Sequence, residues 1–127
     1  MLPTLMLQPE DTSLCGQTCV AMAAGVSLDR AIEVVGHAKA RGTYTHEVVK
    51  ALRQLGVPCA DRLRPTGRVK TVLPKRGLIS IHRPEGSKRP ARFHWMLTWD
   101  GKMYDPGGRW PTGYPGWRIT SYLEIFS

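Results

Sequence analysis

Three side chains far apart in the chain, Cys15, His94 and Asp105, are the residue types of a thiol acyl-transfer site. A thiol attacks a carbonyl as its thiolate, which is favoured at a helix N-terminus or beside an imidazolium. Cys15 opens "CGQTCVAMAAG", an apolar run that reads as a helix. It therefore stands where unpaired backbone N–H groups and the positive end of the helix dipole gather. Gly16 beside it removes side-chain bulk where a substrate backbone must approach. Cys15 also fits a purely structural role at the start of the helix's apolar stripe, because free cysteine is among the most buried residue types. Cys19, one turn on, and Cys59, after Pro58 in an expected strand, read as structural.

A nucleophile needs a base, and four histidines compete. His37 follows a helix-ending glycine and His46 sits in a helix's first turn, both expected to be exposed, while His82 alternates with Leu78 and Ser80 in a strand and is expected to be half-buried. His94 belongs to "FHWMLTWDGKMYDP", where Asp100-Gly101 is the strongest hairpin signal in the chain. A two-residue loop there sets Trp99 opposite Lys102, Thr98 opposite Met103, Leu97 opposite Tyr104 and Met96 opposite Asp105. Period-two alternation puts His94, Met96 and Thr98 on one face with Met103 and Asp105. His94 and Asp105 become diagonal neighbours, with backbones roughly 7 to 8 Å apart, within reach of a carboxylate-imidazole hydrogen bond. Such a bond fixes the tautomer of a general base, although two residues also share a face by chance.

A developing oxyanion is commonly met by a side-chain amide together with the nucleophile's own N–H. Gln8, seven residues before Cys15, reaches that place if "PEDTSL" forms a compact loop. Gln17, two residues on in a helix, points elsewhere. A zinc site is disfavoured, since Cys15 and Cys19 enclose three residues and no second pair follows. Neither a metal nor a cofactor is expected.

The elements that must position these groups divide the chain in two. The first half reads as three short helices: the Cys15 helix ended by Gly25, "SLDRAIEVVG" with Ser27 as N-cap and Gly36 as stop, and "THEVVKALRQLG" with Thr45 as N-cap. The apolar stripe of the first runs through Cys15, Cys19, Met22, Ala23 and Val26. Beyond Val57, "GLISIHRP", the hairpin and "RITSYLEIF" read as strands, and "GGRWPTGYPGW" is too rich in Gly and Pro to be regular. Helices followed by an antiparallel sheet make an α+β fold in one domain, 1–127. A chain of 127 residues buries roughly two thirds of its unfolded surface without staples.

The order Gln8, Cys15-Gly16, Cys19, His94 and Asp105 resembles the bacteriocin-processing cysteine peptidases, papain-like domains that cut double-glycine leader peptides. Their motif, glutamine, a short acidic stretch, Cys-Gly, two residues, Cys and a small apolar helix, stands here as "QPEDTSLCGQTCVAMAAG". "HWMLTWDGKMYDP" matches their histidine-led strand and following aspartate-proline, and "GTYTHEVVKALRQLGV" is similar to the helix after the nucleophile helix. Two departures stand out: the glutamine-to-cysteine spacing is one residue longer, and Leu14 occupies a place where that family usually carries aspartate. The resemblance implies a papain-like cysteine peptidase with Cys15, His94 and Asp105 as its catalytic triad, and an oxyanion hole of Gln8 and the Cys15 backbone.

The implied chemistry is cleavage of a peptide or isopeptide bond through a thioester, and deamidation or transglutamination would use the same groups. A peptidase-like binding module, or a basic protein docking nucleic acid or an acidic partner, is the non-enzymatic alternative. The net charge of +8 is concentrated between Arg62 and Arg92, where ten Lys or Arg face Glu85 alone. That segment suits an acidic partner or a solvated basic face. Nucleic acid has charge as its sole support, with no recognition motif. Three unpatterned cysteines, no secretory start and no apolar run of about 20 residues point to a cytoplasmic protein without a membrane span, or one exported without a cleaved signal.

Overall fold

The computed structural model describes residues 3–9, 12–36, 43–66, 72–86 and 93–126. Three helices, α1 (Cys15–Ala24), α2 (Leu28–Val35) and α3 (Thr45–Gln54), precede five strands: β1 (Arg64–Pro65), β2 (Arg76–His82), β3 (Phe93–Trp99), β4 (Lys102–Tyr104) and β5 (Arg118–Glu124). The strands form one sheet in the order β1-β5-β2-β3-β4, with every pairing antiparallel. The expected α+β arrangement is therefore present. Among the described residues no helix is long and apolar enough to cross a membrane.

Local signals set most helix ends. Gly25, at φ 69°, adopts the left-handed conformation that closes α1, and the Ser27 hydroxyl accepts the Arg30 N–H to start α2. Helix α3 starts one residue earlier than expected. Tyr44 is its N-cap, and the Glu47 carboxylate reaches back 2.8 Å to the Tyr44 N–H, so Thr45 lies inside the first turn.

Helix α1 is not a one-sided amphipathic helix. Every residue from Cys15 to Met22 is buried, because α1 packs against α2, α3 and β3 at once. The expected stripe was too narrow, and Val26 falls beyond the helix. Small side chains permit this packing, Gly16 most of all: a Cβ there would stand 2.9 Å from Thr43 Cβ and 3.3 Å from the Trp95 ring.

Alternation along the strands divides the sheet between two cores. Leu78, Trp95, Leu97, Trp99 and Leu123 face the helices, while Ile79, Ile81 and Met96 face Tyr114, with Trp110 and Trp117 packed alongside. The Gly- and Pro-rich run before β5 thus covers the sheet face opposite the helices. His82, expected to be half-buried, is exposed, because it ends β2 at the edge of the helix-covered face. His37 and two stretches of the basic segment, 67–71 and 87–92, lie outside the described residues.

The hairpin takes the expected register: Leu97 pairs with Tyr104, Thr98 with Met103 and Trp99 with Lys102. Asp100 and Gly101 both have positive φ, 51° and 86°, as a tight primed turn requires. The ladder ends at Tyr104, so the expected Met96–Asp105 pair is not formed. Asp105 leaves the strand because the following segment binds its carboxylate.

Candidate active site

Cys15, the first residue of α1, has Leu14 as N-cap, and no side-chain hydrogen bond caps this helix end among the described residues. Its earliest intrahelical acceptor, the Leu14 carbonyl, serves Thr18 N–H, so the N–H groups before Thr18 point out of the helix end. Cys15, His94 and Asp105 are 7%, 9% and 5% exposed. His94 Nε2 lies 2.6 Å from Asp105 Oδ1, and the Cys15 thiol is near enough to the His94 ring to help raise its pKa. With Nε2 held by the carboxylate, Nδ1 is the ring nitrogen left for the thiol. The structure thus brings Cys15, His94 and Asp105 together, from α1, β3 and the residue after β4.

The electrostatics of the pair follow from opposing causes. Burial alone would lower the His94 pKa, but the Asp105 hydrogen bond and the nearby Cys15 and Asp105 groups raise it to about 9. Burial likewise pushes Asp105 up, yet the His94 hydrogen bond and charge and the backbone N–H groups of Arg109 and Gly107 bring it down to about 2. Imidazolium beside carboxylate is the favoured state across the neutral range.

Asp105 sits in a cradle that sequence reasoning missed. Besides the His94 bond, Oδ1 accepts Gly107 N–H at 2.8 Å and the Tyr114 hydroxyl at 3.2 Å. Oδ2 accepts Arg109 N–H at 2.8 Å and Trp110 N–H at 3.0 Å. Four of these five donors come from residues 107–114, in the segment expected to be irregular. The available signal was Gly107-Gly108 directly after Asp-Pro, since glycines permit a turn tight enough to fold N–H groups back onto the preceding carboxylate.

Gln8 reaches the same neighbourhood. Its N–H donates to the Pro106 carbonyl at 2.9 Å, tying the N-terminal segment to the residue after Asp105. Its Nε2 donates to the Thr12 carbonyl at 2.9 Å, and its Oε1 is buried without a partner among the described residues. The Thr12 hydroxyl folds back onto the Pro9 carbonyl, as a compact loop requires. Residues 10 and 11 of that loop lie outside the described residues.

The other candidates have structural surroundings. Gln17 points inward, donating to the Gly36 carbonyl at 3.0 Å and accepting from the Thr43 hydroxyl at 3.1 Å. Gly16 was expected to clear space for substrate, but that space holds Thr43 and Trp95, so its small size serves helix-sheet packing. Cys19 is fully buried, and burial, followed by the nearby Cys15 and Asp105 charges, raises its pKa well above the usual thiol value. Burial also raises the Cys59 pKa, against an opposing effect of Arg53. His46 is exposed.

No family model and no curated protein sequence matches the chain. Among solved structures, it is similar to the peptidase domain of Streptococcus ComA, a bifunctional ABC transporter involved in a quorum-sensing pathway. The TM-score is 0.63 at 14% sequence identity, covering 95% of this chain and 96% of that one. The fold is that of a papain-like peptidase, and the resemblance expected from the sequence holds at the level of the fold.

Proposed function

We propose that this domain, spanning 1–127, is a cysteine peptidase with Cys15 as nucleophile, His94 as general base and acid, and Asp105 as the group that orients His94. The observation that carries this reading is a buried imidazole hydrogen-bonded to the Asp105 carboxylate and electrostatically coupled to the Cys15 thiol at the start of α1. Similarity in fold to a peptidase domain supports the same chemistry.

In the proposed cycle, the Cys15 proton already rests on His94 Nδ1, in keeping with an imidazolium favoured across the neutral range, and the thiolate sulfur attacks the carbonyl carbon of a peptide or isopeptide bond. The oxyanion is met by the Cys15 N–H and by the Gln8 amide, whose Nε2 carries a second hydrogen beyond the one given to Thr12. The C–N bond then breaks, His94 protonates the departing amine, and a thioester to Cys15 remains. Water, giving a proton to His94, hydrolyses the thioester and restores the thiol. Deamidation would differ in releasing ammonia from a glutamine side chain, and transglutamination in replacing water by an amine. Three free cysteines suit a reducing compartment such as the cytoplasm. The excess of positive charge between Arg62 and Arg92 favours substrates or partners with acidic residues.

The test is digestion of a proteome-derived peptide library, read by mass spectrometry. Cleavage by the unaltered protein, enriched for Asp or Glu near the cut, and lost by at least about 10³-fold in Cys15→Ala and His94→Ala, is expected. Cleavage that persists in Cys15→Ala would overturn the assignment. Ammonia release from glutamine without backbone cleavage would replace peptidase by deamidase.

A further inference from the structure

Tyr114 is buried at 5% exposure, comes from the irregular segment before β5, and touches both members of the His94–Asp105 pair. Its ring stacks on the His94 imidazole with centroids 5.3 Å apart and planes 24° from parallel. Its hydroxyl donates at 3.2 Å to Asp105 Oδ1, the same oxygen that holds His94 Nε2. The neighbours are arranged around this contact. Trp117 meets the Tyr114 ring edge-on at 5.3 Å, Trp110 lies at 6.3 Å, and the Arg109 guanidinium lies 5.7 Å from the ring centroid. Gly107 leaves the hydroxyl its place: a Cβ there would stand 2.5 Å from the Tyr114 oxygen.

We infer that Tyr114 is a positioning residue, which fixes the plane of the His94 ring by stacking and shields the His94–Asp105 hydrogen bond from water. The inference rests on the peptidase reading for its catalytic consequence and on geometry alone for its effect on His94. Water reaching that bond would compete for Oδ1 and screen the attraction between imidazolium and carboxylate. An aromatic face over the imidazole keeps water away and also favours the cationic ring. Burial and the adjacent Asp105 charge hold the Tyr114 hydroxyl protonated far above neutral pH, so it remains a donor throughout the working range. The groups facing His94 are Cys15 from α1, Asp105 after β4, and Tyr114, with Arg109 above the Tyr114 ring.

Two variants separate the stacking from the hydroxyl. Tyr114→Phe keeps the ring and is expected to reduce kcat/KM by a few-fold, with the His94 titration close to its original position. Tyr114→Leu is expected to lower the His94 pKa from about 9 toward 6.5, by about one unit or more, when followed by NMR of the imidazole nitrogens. The basic limb of kcat should move down equally, with kcat falling about 10 to 100-fold and KM little changed, since Tyr114 acts through His94. An unmoved His94 titration in Tyr114→Leu would overturn the inference. Should that variant fail to fold, the unaltered protein supplies the decision. A shielded His94 Nε2 proton gives a resolved low-field resonance in slow exchange with water, and rapid exchange at pH 6 contradicts shielding. Because both NMR readings are independent of turnover, their failure is distinguishable from failure of the peptidase assignment.

Discussion

Asp105 is the residue whose surroundings are most completely specified, and its replacement is correspondingly informative. Asp105→Asn changes little in volume but turns one acceptor oxygen into an NH₂ donor. Whichever oxygen is lost, buried donors are orphaned: Gly107 N–H, the Tyr114 hydroxyl and His94 on one side, or Arg109 and Trp110 N–H on the other. Each orphaned donor costs about 1–3 kcal/mol, so the variant should be destabilised by at least about 2 kcal/mol in urea unfolding. The pH dependence of stability should change with it. Asp105, held near 2 against an ordinary 3.8, contributes stability that is present above about pH 4 and lost as pH falls toward 2. His94, raised to about 9 from 6.5, contributes stability that is present below 6.5 and lost as pH rises through 9. The unaltered protein should therefore gain most from this pair between about pH 4 and 6.5, and Asp105→Asn should flatten both edges. Equal pH profiles for the two proteins would show that the ion pair contributes nothing to folding. The closeness of His94 and Asp105 was legible in the sequence because an Asp-Gly turn fixes register and strand alternation fixes faces. The five-donor cradle was not, because it is built mainly of backbone N–H groups, which every residue but proline carries.

Helix α1 carries its thiol to the sheet by packing closely on every side. Gly16 is the point of closest approach, against Thr43 and the Trp95 ring, whose Nε1–H donates to the Thr43 carbonyl at 3.2 Å. Gly16→Ala should force these neighbours apart and lower stability by about 1–3 kcal/mol, despite alanine's higher helix propensity, with a fall in Tm as the readout. A higher Tm would mean that the contact relaxes freely and that propensity dominates. The helix stops were readable because Gly25 and Gly36 have a conformational role that glycine fills at little cost. The all-round burial of α1 was not readable. A short helix of Cys, Gly, Thr and Ala has no polar face, and periodicity finds a stripe only where one side meets water. The two-residue strand β1 was also unforeseen, since its pairing with β5 is set by residues more than fifty positions away.

At the scale of the molecule, the helical first half and the sheet-forming second half meet where α1 begins and β3 enters the sheet. Fold class followed from the order of elements, but the strand order did not: the last strand, β5, inserts between β1 and β2, a long-range choice that local pattern does not encode. That insertion returns the chain through the segment holding Asp105 and Tyr114, so the closing strand and the acid's cradle are parts of one connection. The proposed function requires that this architecture hold Cys15 beside His94 and so make one of three buried thiols a nucleophile. The most direct measurement is stoichiometric alkylation of the native protein with iodoacetamide at pH 6, with the label mapped by mass spectrometry. Cys15 should be labelled well ahead of Cys19 and Cys59, and His94→Ala should slow its labelling by at least about 10-fold. Equal labelling of the three cysteines, or a Cys15 rate indifferent to His94, would contradict the account.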